Sequence, residues 1–245
     1  NCEETVQLDF ELNQIISKFF YDIDTWKNMC SDDYYSYCYK CQEQINQIDY
    51  QTRFLNINKE SLIKISSMKD IWHESLIFLR AIRPKKLLNK AENIGFHRET
   101  MYTNSPVQTS KCHNIWVPIS KVTSKTAVQY YPKSQKIPDS DLFWEDDKLA
   151  YRIPKGSKAH GMGMFYKPKK ILKGLENLEY IPMLPKQNEF VLFSAMTVHG
   201  AGENNSDSIR LSLSMATIES DEINDNKSYL AAKGKPHYKA LLEKK

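Results

Sequence analysis

Two stretches about a hundred residues apart carry the side chains best suited to chemistry: Gly95-Phe96-His97-Arg98-Glu99-Thr100, and Thr197-Val198-His199-Gly200-Ala201-Gly202 with Ile209-Arg210-Leu211-Ser212 after it. His97 and Glu99 lie two positions apart at the end of an apolar run, so on a strand they leave the same face and can bind one metal together. His199 ends a second apolar run and supplies a third ligand. Two imidazoles and one carboxylate on one face of an octahedron leave three positions open, the donor set of a non-haem iron that activates dioxygen. Glu99 is longer by one methylene than an Asp in that role, so its carboxylate must fold back to reach the metal. Arg210 follows His199 by one turn and one strand and offers a guanidinium fork, whose best anion is a carboxylate. Ser212, on the same face, adds a hydroxyl donor. The polar run Glu203 to Ser208 between them fits a hairpin turn, and its Asn204-Asn205-Ser206 matches a glycosylation sequon by chance.

These residues need a scaffold. From Leu8 to Trp26 the apolar positions Leu8, Leu12, Ile15, Ile16, Phe19, Ile23 and Trp26 recur at helical spacing, which predicts an amphipathic helix covering a sheet. Met29 to Tyr50 reads as irregular or a poor helix, and Glu60 to Leu79 as a second helix behind an Asn58 or Ser61 cap. After Pro84 short apolar or alternating runs separated by polar turns predict strands over Lys86–Lys90, Asn93–Arg98, Cys112–Ile119, Thr126–Tyr131, Leu149–Ile153, Tyr180–Met183, Phe190–Phe193, Thr197–His199 and Ile209–Thr217. That pattern is mainly β with flanking helices, and a double-sheet jelly roll is its natural architecture. The expected organisation is one domain over 1–245, with a helical N-terminal cover at 1–83, a jelly-roll core at 84–218 holding an insertion at 133–185, and a charged tail at 219–245 with a short helix near Tyr238 to Leu242.

Composition narrows the function. The chain of 245 residues is 41% hydrophobic, enough for one large core, and its net charge of +4 is spread over 34 basic and 30 acidic residues. Nothing in the scatter of Lys argues for a nucleic-acid partner, and no run approaches the roughly 18 to 20 apolar residues of a membrane span. The chain is expected to be cytoplasmic, with a small-molecule substrate. Starting at Asn1 without a Met, it reads as trimmed. Five Cys are too few and too odd for a disulfide framework, and Cys38-Tyr39-Lys40-Cys41 has no second pair to complete a zinc site, so the cysteines read as reduced thiols.

In the order and identity of its motifs the chain resembles the non-haem iron and 2-oxoglutarate-dependent oxygenases, and among them the phytanoyl-CoA dioxygenase-like group. The resemblance spans about Lys86 to Thr217. It rests on Phe96-His97-Arg98-Glu99, the Trp-containing run Asn114-Ile115-Trp116-Val117-Pro118-Ile119, the turn Tyr131-Pro132-Lys133-Ser134-Gln135, then Phe190-Val191-Leu192-Phe193, His199 and Arg210-Leu211-Ser212. Lys133 and Gln135 stand where that family often has Gly and His. A softer likeness, through Ser105-Pro106 and Trp116-Val117-Pro118, is to oxygenases of bacterial carbohydrate gene clusters. The resemblance implies a cupin-like double-stranded β-helix, iron(II) held by His97, Glu99 and His199, and 2-oxoglutarate as co-substrate with O2. It implies that Arg210 and Ser212 receive the far carboxylate, with Asn114 and Trp116 as further co-substrate contacts. The implied outcome is hydroxylation with release of succinate and CO2, and Glu99 argues against halogenation.

The Lys-rich insertion, with Lys155, Lys158, His160, Lys167, Lys169 and Lys170, is read either as a solvated lid or as a collector of a biosynthetic substrate that is anionic or sugar-containing. Two other functions use the same residues: a cupin-like metal enzyme that needs no 2-oxoglutarate, and a jelly-roll binding module whose His and Glu are incidental. Arg210 and Ser212 discriminate against the first, which has no reason to keep a carboxylate clamp; the second predicts no metal retention and no effect of His199→Ala on ligand binding.

Overall fold

A computed structural model describes residues 2–74, 77–88, 95–101, 111–148, 151–158, 169–222, 230–231, 235–236 and 238–241. Four helices come first: α1 (Cys2–Phe20), α2 (Ile23–Trp26), α3 (Ser31–Gln47) and α4 (Tyr50–Ser66). In α1 the buried Leu8, Leu12, Ile16 and Phe19 line one face, while Glu3 and Glu4 in the first turn and Lys18 in the last complement the helix dipole. The expected irregular segment is the helix α3. Its buried Tyr34, Cys38, Cys41 and Ile45 recur at i, i+4, i+7 and i+11, a periodic face written in residues too polar to announce it.

The helix expected over Glu60 to Leu79 is a correction. α4 begins ten residues earlier and stops at Ser66, where Ser67 turns into the left-handed region at φ 59°. Ile65, counted in the apolar stripe, is 69% exposed. The chain then enters β1 (Trp72–Glu74) and β2 (Phe78–Ile82). Leu79 and Ala81 join the main core, and Phe78 and Arg80 face the other way, so the period is two.

The remaining strands are β3 (Cys112–Pro118), β4 (Val128–Tyr130), β5 (Phe143–Asp146), β6 (Lys169–Lys173), β7 (Ile181–Pro182), β8 (Val191–Ser194), β9 (His199–Ala201), β10 (Arg210–Ile218), β11 (Leu230–Ala231), β12 (Lys235–Pro236) and β13 (Tyr238–Ala240). One sheet runs β13-β1-β10-β3-β8, with β2 also paired to β10, and a second runs β7-β4-β9. β5 with β6, and β11 with β12, form two-stranded ribbons. The architecture is a double-stranded β-helix, mainly β, with a helical N-terminal cover. Three expectations differ in detail. Tyr238 to Ala240 is an edge strand paired with β1 rather than a helix, because a run this short cannot nucleate a helix alone. Lys85–Leu87 is a 3-10 turn, and residues 151–153 are not in a strand.

β10 organises the large sheet. Leu211, Leu213 and Met215 enter the core shared with α1, α3 and α4, whereas Arg210, Ser212, Ser214 and Ala216 point into the space between the sheets. Both faces of β10 are covered, so its polar inner residues are buried between the sheets rather than facing bulk solvent.

Candidate metal centre and anion clamp

His97 and His199 are joined by their backbones. The His97 amide donates to the His199 carbonyl at 2.8 Å and the return bond is 3.0 Å. This antiparallel bridge brings the imidazole centroids to 4.4 Å. Gly200 permits the approach: a Cβ there would lie 2.8 Å from the Phe96 nitrogen and 2.9 Å from the Gly95 carbonyl carbon.

Each ring is oriented by its Nδ1, which lies 2.8 Å from the Gly95 carbonyl oxygen in His97 and 3.0 Å from that of Thr197 in His199. A carbonyl can only accept, so Nδ1 carries the proton and Nε2 is left with its lone pair, the arrangement found in metal-binding histidines. Both Nε2 atoms face one carboxylate oxygen, Glu99 Oε1, at 3.8 Å from His97 and 3.6 Å from His199. Among the described residues these three form the one group able to hold a metal, with ligand atoms all within 4.8 Å of one another.

Glu99 is not on the strand with His97; it opens a 3-10 turn, Glu99–Met101. That turn draws the longer side chain back and takes up its extra methylene. Asn114 on β3 donates its amide to Glu99 Oε1 at 3.0 Å. Burial favours a neutral Glu99, but the adjoining His97, His199 and Arg80 outweigh it and hold the carboxyl below its ordinary range. Burial, followed by the neighbouring His97, pushes His199 down to about 4, so it is neutral at physiological pH. A neutral imidazole and an ionised carboxylate are what a divalent cation requires, and the donor set fits iron.

Two residues that sequence reasoning passed over clamp both histidine segments. Arg98 is fully buried and donates to the carbonyls of Ile137, at 2.9 Å, and Ser134, at 2.5 Å, and it pairs with Asp139. The Ser134 hydroxyl accepts from the Val198 amide at 2.8 Å. One serine therefore ties the turn after β4 to the residue before His199, while its carbonyl holds the residue after His97. Arg98 could have been noticed as a charge between two ligands; Ser134 carried no signal except its turn.

Across the cavity Arg210 is 3% exposed, and its Nη1 donates to the carbonyls of Thr126, at 3.0 Å, and Gly202, at 3.2 Å. Its Nε has no hydrogen-bond partner among the described residues, and burial lowers its pKa to about 10. A buried guanidinium fastened by carbonyls, with no acid paired to it among the described residues, is a cation waiting for an anion. Asn204 steadies the turn that delivers it, donating to the carbonyls of Ile82 at 2.9 Å and Ser208 at 2.8 Å. At 1% exposure this sequon asparagine is a buried structural residue. Ser212 is buried on the same face, and Trp116 Nε1 is buried without a partner among the described residues. The Phe193 ring packs 4.7 Å from His199.

The lysines of the insertion are elsewhere engaged. Lys158 pairs with Asp33 at 3.1 Å and its amide donates to Asp32, docking the insertion on the first turn of α3. Lys155 is exposed. Lys169 donates to the Met101 carbonyl and lies over Trp144, and Lys170 pairs with Glu145. His160 and Lys167 lie outside the described residues, as do Ser105 and Pro106. Cys38 and Cys41 are buried free thiols, Cys41 pushed up to about 12 by burial.

A family model described as "Phytanoyl-CoA dioxygenase (PhyH)" matches residues 46–212. In sequence, no curated protein matches the chain. Among solved structures, the fold is similar to the non-heme alpha ketoglutarate dependent epimerase SnoN from nogalamycin biosynthesis, at a TM-score of 0.50 and 15% identity over 80% of this chain and 74% of that one. EvdO2 from Micromonospora carbonacea var. aurantiaca, complexed with 2-oxoglutarate, aligns at a TM-score of 0.47 and 13% identity over 74% of this chain and 65% of that one. The carbocyclase SnoK gives a TM-score of 0.40 and 12% identity over 64% of this chain and 54% of that one.

Proposed function

Because the chain belongs to the phytanoyl-CoA dioxygenase family of iron(II)- and 2-oxoglutarate-dependent oxygenases, we propose that it hydroxylates a small biosynthetic molecule, with succinate and CO2 as co-products. The observation that carries this reading is the pairing of the His97, Glu99 and His199 triad with a buried guanidinium that has no acid of its own among the described residues.

His97, Glu99 and His199 would hold the iron, which supplies the dioxygen chemistry when bound. The chain's own part is positional. The carbonyls of Gly95 and Thr197 keep both Nε2 lone pairs aimed at one point, and Asn114 keeps the Glu99 oxygen there. Arg210 and Ser212 would receive the distal carboxylate of 2-oxoglutarate, so that its keto-acid end reaches the triad. Trp116 Nε1 and the Asn114 amide border that path. The Phe193 ring packs against His199 and backs that ligand with an apolar surface.

The test is anaerobic titration with iron(II) and then 2-oxoglutarate, followed by the weak visible charge-transfer band of the chelated keto acid. The band is expected for the wild-type chain, absent for His199→Ala, and displaced to at least tenfold higher 2-oxoglutarate for Arg210→Ala, in line with about 1.5–3 kcal/mol for a hydrogen bond to a charged group. A wild-type protein that binds iron without ever developing the band rejects the reading in favour of a metal enzyme without 2-oxoglutarate.

A further inference from the structure

We infer that the primary substrate carries a carboxylate or phosphate group and that Arg80 receives it; the inference rests on the co-substrate reading above. Arg80 lies on β2 directly opposite Ser212 of β10 in the antiparallel register, so its side chain leaves the sheet on the same face as Ser212 and Arg210, into the space between the sheets. Its charge reaches Glu99 and His199. Yet it makes no side-chain hydrogen bond or ion pair among the described residues; its guanidinium rests 5.3 Å from the centroid of the Phe78 ring, on the same face of β2.

Charge then decides what the residue is for. An iron(II) ion, the Glu99 carboxylate, the 2-oxoglutarate dianion and the Arg210 guanidinium balance one another. Arg80 adds one positive charge with no counterpart in a partly enclosed cavity, where an unpaired cation is costly and a matching anion is held strongly. The co-substrate has no third carboxylate to offer it. The planar fork suits the two oxygens of a carboxylate or phosphate. Around it Phe78, Trp116 and Phe193 supply an apolar wall, so the anion should be borne on an apolar or ring-containing body rather than being a free inorganic ion.

The experiment uses the protein loaded anaerobically with iron(II) and 2-oxoglutarate. Benzoate and phenyl phosphate serve as probes and benzamide as their neutral counterpart, with binding followed by calorimetry and by displacement of the visible band. The wild type is expected to bind at least one anion tenfold or more tightly than benzamide. Arg80→Gln should erase that preference and Arg80→Lys should keep part of it, while the 2-oxoglutarate affinity of both variants stays within twofold and their melting temperatures show that the fold persists. Equal binding of the three probes by the wild type overturns the inference, as does an anion preference that survives in Arg80→Gln. A tenfold loss of 2-oxoglutarate affinity in Arg80→Gln assigns the residue to the co-substrate and overturns it as well. If instead the wild type shows no band before any probe is added, the co-substrate reading itself has failed and the inference falls with its premise.

Discussion

At the scale of the residue, the triad is defined as much by what holds the ligands as by the ligands. His97, Glu99 and His199 were legible in the sequence as a candidate ligand set, and the structure brings their ligand atoms together; Arg210 and Ser212 were legible as an inward-facing pair one strand after His199, and the structure buries both. Asn114 was legible as a residue near the site, but its partner was not: only the structure shows its amide on the Glu99 oxygen that faces both histidines. Arg80 was passed over because the expected helix ended at Leu79 and no element was expected at Arg80. The placement of Glu99 can be tested by shortening it. Glu99→Asp withdraws the carboxylate by about 1.5 Å, and the 3-10 turn that draws the glutamate back cannot extend the shorter side chain. Metal affinity measured by iron(II) or manganese(II) titration should therefore fall more in Glu99→Asp than in Asn114→Ala, where loss of a hydrogen bond to a metal ligand is expected to cost roughly 10- to 100-fold. Equal affinity of Glu99→Asp and wild type would show that Glu99 does not set the site.

At the scale of the element, the strands after Cys112 were readable because their alternation is strong and their lengths ordinary, whereas those before it were not. β1 and β2 come only a few residues after a helix, and the buried Ile71 just before β1 and Leu79 within β2 fall by coincidence on a helical stripe with Leu62 and Met68. Period alone cannot separate the two structures in so short a run. β5 and β6 went unseen for a different reason: Phe143, Trp144 and Leu172 are exposed, so their ribbon has little hydrophobic signature. The bridge between the histidine segments depends on one glycine more than on its neighbour. At Gly200 an added Cβ meets backbone atoms of Phe96 and Gly95 at 2.8–2.9 Å, and backbone paired on both sides cannot give way. At Gly202 the first atoms met are the side-chain amide of Gln129 at 3.3 Å, which can rotate aside. Gly200→Ala should thus separate the two histidines, costing about 1–3 kcal/mol of stability together with metal affinity. Gly202→Ala should leave both nearly unchanged. Denaturant melts and metal titrations of the two variants check the contrast, which fails if they behave alike.

At the scale of the whole molecule, one hydrophobic core joins α1, α3 and α4 to the outer face of the large sheet, while the inner face is left to polar and charged groups. The two faces respond to acid through different residues. On the outer side His73 of β1 is fully buried; its Nδ1 lies 2.8 Å from the Glu74 carbonyl oxygen and its Nε2 has no partner among the described residues. Burial first, and Lys239 second, lower its pKa to about 4, while Asp49 and the Glu74 carbonyl pull weakly the other way. An unfolded histidine titrates near 6.5. Between those values the unfolded chain binds more protons than the folded one, so stability rises with pH across that window and is lost as pH falls through it. His73 alone should cost about 2 kcal/mol between pH 7 and pH 5. In the metal-free protein His199, also lowered to about 4, adds a loss of the same sign. A bound metal holds the folded imidazole neutral and so leaves this second contribution at least as large, because the loss comes from the unfolded histidine taking up a proton; it does not touch the first. Urea melts at pH 7 and pH 5 should accordingly show a steep acid loss for chelator-treated wild type, one at least as steep with saturating manganese(II), and a shallower one for His73→Gln under either condition. If His73→Gln keeps the full wild-type slope, the buried imidazole is not what couples the outer core to pH.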